Sequence, residues 1–216
     1  MKNFFSMDAP LFRILATLYD LIILNLLTIL GCVPLVTAGA SLTAMHYVLI
    51  AMVRDEEPDI ARSYLRSFRE NLRQSTILWC GYLLILSLCV WTAAGAGDGT
   101  GNGVIRALCG IVGLLLYLLS LYLWPFVAHF RNTIPRSIQI CAALTAAYLF
   151  RTAGMAVIPP ALAALAVVFL PASVPLVVLF GLSLPGYFCA LLYNPVLRRL
   201  EGREDAGSGE SADGEA

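Results

Sequence analysis

The sequence predicts an all-α, polytopic membrane bundle, and three observations carry that prediction. Hydrophobic residues make up 59% of the 216 residues and charged residues 13%, with a mean hydropathy of +0.81, a balance far from that of an ordinary soluble domain. The apolar residues gather into runs close to the roughly 20 residues a helix needs to cross about 30 Å of hydrocarbon. Lys and Arg fall almost entirely in alternate segments between those runs, as they do when held on one side of a bilayer.

Six runs meet the length. The first extends from Ile14 to about Val33, and the second, shorter and more polar, from about Gly39 to Val53. The third covers Ser75 to Gly95, the fourth Val104 to Phe130, the fifth Thr152 to Leu170 and the sixth Val174 to about Leu197. With the N-terminus inside, the inner segments hold Lys2, Arg13, Arg54, Arg62, Arg66, Arg69, Arg73, Arg131, Arg136, Arg151, Arg198, Arg199 and Arg203, and the outer side only Arg106. An odd number of spans would strand the last three of these on the wrong face. Both termini are therefore expected to be cytoplasmic.

Two linkers are too long for turns: "RDEEPDIARSYLRSFRENLRQ" after the second span and "RNTIPRSIQICAALTAAYLFR" after the fourth. In the first, Ile60, Leu65, Phe68 and Leu72 fall on one side of a helix and Arg62, Arg66, Arg69 and Arg73 on the other. Asp55, Glu56, Glu57 and Asp59 gather at its start, where they suit the positive end of the helix dipole. Such a segment is expected to lie in the cytoplasmic interface as an amphipathic elbow, its Arg face turned to lipid headgroups or to a partner. The second linker repeats the design, giving the chain a weak internal repeat of span, elbow and span.

"GCVPLVTAGASLT", residues 31 to 43, separates the first two spans. Residues 34 to 40 are expected to form a tight outer hairpin, with Gly31, Gly39, Ala40, Ser41 and Ala44 letting the two helices approach closely. Gly39 would also accommodate a positive φ. A cleaved signal peptide is the weaker reading, because the first run exceeds the roughly 7 to 15 residues of an h-region and contains Asp20 and Asn25.

"NFFSMDAPLFR", "DLIILNLLTILGCVPLVTAGASLTAMHYV", "RDEE" and "SYLRSFRENLRQST" resemble the YesL-like family of bacterial integral membrane proteins, over residues 3 to about 80. The resemblance implies several spans in a bacterial plasma membrane and an association with carbohydrate uptake systems of the ABC type. It assigns no catalytic residue, and the family's function is uncharacterised.

Chemistry must be sought in the residues themselves. Asp20 and Asn25 in the first span and His46 in the second are the polar groups at depth, and antiparallel neighbours would let Asn25 and His46 meet. Ionisable groups inside a membrane mark a functional site by default, here a proton-linked or hydroxyl-binding one, although hydrogen bonds between helices also hold bundles together. Pro125, Pro159, Pro160, Pro175 and the Pro185-Gly186 pair suggest broken helices, which transporters use to bind substrates and which bundles also simply tolerate. The loop "GAGDGTGNG" lacks the Lys-Ser/Thr end of a phosphate loop and the closing Glu of a calcium loop, so it reads as a hairpin connection. Six scattered cysteines, at 32, 80, 89, 109, 141 and 189, suggest neither zinc nor a redox pair. No hydrolase motif appears, and no cofactor or metal is expected.

Residues 1–13 thus read as a cytoplasmic lead, 14–200 as the membrane domain, and 201–216 as an acidic tail of disordered composition. The expected function is non-enzymatic, accessory or regulatory to carbohydrate uptake of the ABC type. The alternative is a small-solute or sugar permease acting alone. Net charge of zero and the lack of a basic aromatic groove argue against nucleic acid.

Overall fold

The computed structural model describes residues 10–56, 59–95, 100–130, 133–169 and 174–213, with side chains from 13 to 202 apart from 100–102. The first nine residues, loop residues 96–99, Arg131 and the last three residues, on which parts of the sequence reading fall, lie outside the described set. Within that set the chain is helical, without strands, as apolar surroundings require of a backbone that must bond to itself. The order is α1 (Pro10–Cys32), a 3₁₀ turn (Leu35–Thr37), α2 (Ala38–Val53), α3 (Ile60–Gly95), α4 (Thr100–His129), α5 (Ile134–Ala147), α6 (Leu149–Val168), α7 (Val174–Phe180) and α8 (Ser183–Asp213). Helices α1 to α4 and α6 are long and apolar enough to cross a membrane, and α7 with α8, bent by 46°, make a sixth candidate.

Local chemistry sets several boundaries. Pro34 follows the end of α1, where a helix cannot continue. Asp59 caps α3, its Oδ1 accepting the Arg62 N–H at 3.2 Å.

The core centres on α2, which buries residues on every side, among them Ala40, Ala44, Val48 and Leu49. Leu21 and Leu24 of α1, Tyr64 of α3, Tyr122 and Phe126 of α4, Met155 of α6 and Tyr193, Val196 and Leu197 of α8 close around it. The remaining parts of α3, α4 and α6 carry exposed Leu, Val, Ile and Trp side chains such as Leu84, Trp91, Leu115 and Val168. In a bilayer that surface faces lipid.

Several expectations change here. The first elbow is not a separate helix, because residues 60–74 are the opening half of α3 and run unbroken into the third span. We call residues 60–74 the arm. Ile60, Tyr64 and Ser67 form its buried stripe, which Ser75 and Leu78 continue along α3, so one face is already packed. The second elbow, α5, is separate, set off from α6 at Tyr148, whose φ of −113° and ψ of 46° leave the helical region.

The opening hairpin is also seated differently. The Tyr64 hydroxyl meets Ser41 Oγ at 2.7 Å, Ser41 Oγ donates to the Thr28 carbonyl at 2.8 Å, and Trp79 Nε1 donates to the Leu35 carbonyl at 2.8 Å. Residues 64 and 79 stand about 22 Å apart along α3, so the helix lies across the hairpin tip. These contacts seat α3 against the hairpin, a neighbour the sequence reading did not assign to it.

Gly39 has a different role too. No described glycine has a positive φ, and a Cβ on Gly39 would stand 2.5 Å from Trp79 Cβ and 2.7 Å from the Ser75 carbonyl of α3. A Cβ on Gly31 would meet the Tyr64 hydroxyl and Ser41. The small residues therefore admit α3 rather than merely drawing α1 to α2. Thr43 Oγ1, bonded to Ser75 Oγ at 2.9 Å, closes the same seam. At the other end, backbone helix continues through Asp213, so residues 201–213, which composition assigns to disorder, extend α8.

Gly39→Ala should lower stability in detergent by about 1 to 3 kcal/mol, the usual cost of forcing extra bulk into a packed contact. Gly81→Ala, whose Cβ would meet nothing within 4 Å, should be neutral or stabilising by up to about 1 kcal/mol. Thermal unfolding of the two variants checks the pair, and equal Tm values would remove the seam as a packing constraint.

Candidate functional site

The last candidate span is broken between α7 and α8, where the two helices are bent by 46°. Pro185 has no N–H to give Gly181, and in an unbroken helix its ring would strike that carbonyl four residues back. The helix stops at Phe180 and restarts at Ser183, leaving Pro185 in the first turn of α8, where it is tolerated. In a continuous helix the Leu182 N–H would bond to the Val178 carbonyl. Here Asn25 stands between them.

Its Oδ1 accepts the Leu182 N–H at 2.8 Å and the Ser183 N–H at 3.0 Å, while its Nδ2 donates to the Val178 carbonyl at 2.7 Å. One amide side chain, fully buried, thus splices a cut ladder and caps α8 from a different helix. Ser183 Oγ beside it is buried without a hydrogen-bond partner.

His46 lies elsewhere. Its Nδ1 is 3.0 Å from the Tyr193 hydroxyl, and the rings meet edge to face with centroids 5.7 Å apart. Asp20 is half-buried on α1 and makes no hydrogen bond or ion pair among the described residues. The three expected site residues do not converge: Asn25 serves the α7–α8 break, His46 joins α2 to α8, and Asp20 stands apart.

A second polar cluster has no counterpart in the sequence reading. Arg54, at the end of α2, donates through Nε to Asn194 Oδ1 at 3.0 Å and pairs through Nη2 with Glu201 Oε1 at 2.8 Å. Glu201 also meets His129 Nε2 at the end of α4. Arg54 is mostly buried, with 11% of its side chain exposed, so the pair is shielded from bulk water. This cluster gathers the ends of α2 and α4 against the middle of α8.

Prolines in α6 are answered by neighbours. Pro159 and Pro160 cannot donate to the carbonyls of Met155 and Ala156, their partners in a regular helix. Tyr117 donates its hydroxyl to the Ala156 carbonyl at 3.0 Å, and the Cys189 thiol approaches the Met155 carbonyl at 3.8 Å. Both freed acceptors are consumed inside the protein, not offered to a solute.

The arm carries the exposed charge. Arg66 Nε donates to Glu70 Oε1 at 3.0 Å, which holds the Arg66 pKa above its ordinary value, and Arg62 stands 4.0 Å from Asp59. Asp59, Ala61, Arg62, Leu65, Arg66, Arg69 and Glu70 line a shallow groove on the outer side of the arm. Among the described residues, no group of His, Cys, Asp and Glu could hold a metal ion.

These features define a class: a multi-helix membrane protein whose intramembrane polar groups mostly serve its own backbone. Residues 21–92 match the model of a family described as "Protein of unknown function, DUF624". That match takes in the hairpin, α2 and the α3 seam. No curated protein and no solved structure matches the chain.

Asn25→Ala should destabilise the chain by about 2 kcal/mol or more, since it removes a cap and leaves buried backbone groups unpaired, each at about 1 to 3 kcal/mol. Hydrogen exchange should then quicken at 182–183 before the core of α2, and uniform protection would contradict the splice. Glu201→Ala should cost about 1 to 3 kcal/mol, because Arg54 and His129 lose a partly shielded partner. Glu201→Gln should fall between it and the parent in thermal unfolding.

Proposed function

We propose that this chain is a non-catalytic accessory protein of the membrane, that its arm presents a basic groove to an acidic surface on a partner, and that the partner belongs to carbohydrate uptake of the ABC type. One observation carries the docking half of this reading. Asn25, Tyr117 and Cys189 are spent on backbone groups of the chain itself, whereas Arg62 and Arg66 keep 87% and 72% of their side chains exposed. The sugar-uptake half rests on the resemblance to YesL-like proteins.

Surface charges mainly set encounter rates and partner choice. Reversal of Arg62 and Arg66 to Glu should therefore cut co-purification with a co-expressed carbohydrate ABC transporter about tenfold and leave thermal stability within about 0.5 kcal/mol. Unchanged co-purification would end the docking reading. A second reading, a small-solute permease, is favoured by the bent α7–α8 pair, since transporters bind solutes at such breaks. Proteoliposomes holding this chain alone distinguish the two: specific sugar flux supports the permease and removes the accessory role.

A further inference from the structure

Beyond the arm, α3 and α4 run side by side as an antiparallel pair, and three contacts fix their register. The Trp79 and Trp124 rings meet with centroids 5.7 Å apart, Cys109 Sγ lies 3.1 Å from Thr92 Oγ1, and Arg106 Nε donates to the Ala93 carbonyl at 3.4 Å. From the last of these contacts, Cys89 is one turn back along α3 and Cys109 one turn on along α4. In antiparallel helices those two steps lead the same way, so the two cysteines arrive at one level.

Burial agrees with that register. Among the described residues 84–95 of α3 only Leu86, Cys89 and Ala93 are partly covered, and among residues 103–115 of α4 only Cys109 and Gly113. Spacings of three and four residues put each set on one helix face. Both cysteines therefore sit on the seam, and both are free and part-exposed. Helix axes about 8 to 10 Å apart, with Cα atoms about 2.3 Å off axis, leave facing Cα atoms roughly 4 to 6 Å apart, a span a disulfide bridges. The Thr92 hydroxyl is turned to the Leu88 and Cys89 carbonyls, 2.9 and 3.0 Å away, so its oxygen accepts from the Cys109 thiol. The sulfur of Cys109 is thereby kept against α3, in the turn that follows Cys89. Gly113, one turn further along α4, leaves that sulfur room to swing, since a Cβ there would meet nothing within 4 Å.

We propose that Cys89 and Cys109 are a reversible disulfide site that staples α3 to α4, closed by a small-molecule disulfide and reopened by thiols. One cysteine, as its thiolate, attacks a sulfur of the oxidant, forming a mixed disulfide and releasing one thiol. The other then attacks the protein sulfur of the mixed disulfide and releases the second thiol, so both protons leave with the reduced oxidant. The twenty residues between the cysteines hide the pair from a reading of the sequence alone. Cys141 and Cys189 are buried on other helices, and Cys80 is exposed on α3, away from the positions that face α4. The inference rests on the α3–α4 register and is independent of the function proposed above.

The test treats the full chain in neutral detergent with oxidised glutathione, alkylates the remaining thiols and maps peptides without reduction. Two of the six cysteines should be recovered as one linked 89–109 peptide within a single chain, and dithiothreitol should release it. C89S should instead carry glutathione on Cys109, and C80S should form the linked peptide as fully as the parent. Closing a loop across the hairpin should raise Tm by several degrees in the oxidised parent relative to the reduced one, a difference C89S should lose. Recovery of Cys89 and Cys109 as separate peptides after complete reaction would overturn the site. So would linkage mainly through Cys80, linkage mainly between chains, or an equal Tm rise in C89S.

Discussion

Inside a bilayer no water is at hand for a cut backbone, so an unpaired N–H or C=O must be answered by protein or cost several kcal/mol. That constraint organises much of this chain. Pro185 breaks the last span, and Asn25 from the first span answers with both ends of its amide. Pro159 and Pro160 free two carbonyls in α6, and Tyr117 from α4 and Cys189 from α8 approach them. Each repair comes from another helix. The prolines, which weaken single helices, thereby specify which helices must be neighbours.

The second organising element is the seam of small residues where α3 meets the hairpin. Gly39 and Gly31 let Trp79 and Tyr64 close on the tip, and Ser41, Thr43 and Ser75 use the short distance for hydrogen bonds. Small residues at helix contacts and hydroxyls as interhelical glue are what lipid-embedded packing favours. The family match at residues 21–92 covers this seam but takes in only Arg54 of the polar cluster, whose other members, His129, Asn194 and Glu201, lie beyond it.

Helical class and element positions were legible because hydropathy over a window of about 20 residues reports directly on them. Boundaries agree within a few residues at α2, α4 and α6. The arm was misread for a physical reason: an amphipathic segment and the apolar span after it have different faces to satisfy, yet nothing between Arg73 and Thr76 breaks the helix. Periodicity identified the faces without the continuity. Asn25 was singled out correctly as a buried polar group, but its partners are main-chain atoms 153 to 158 residues away, and a backbone acceptor leaves no mark in composition. Glu201 escaped notice because it opens an acidic, Gly-rich stretch, and nothing in its own sequence context shows that Arg54 and His129 wait beside it.

The continuity of α3 gives the molecule a mechanical property. A rod held against its neighbours at Tyr64, Ser75 and Trp79 is clamped rather than pivoted. A sideways push on the arm is therefore resisted along about 22 Å of α3 and is handed on to the hairpin that the helix grips.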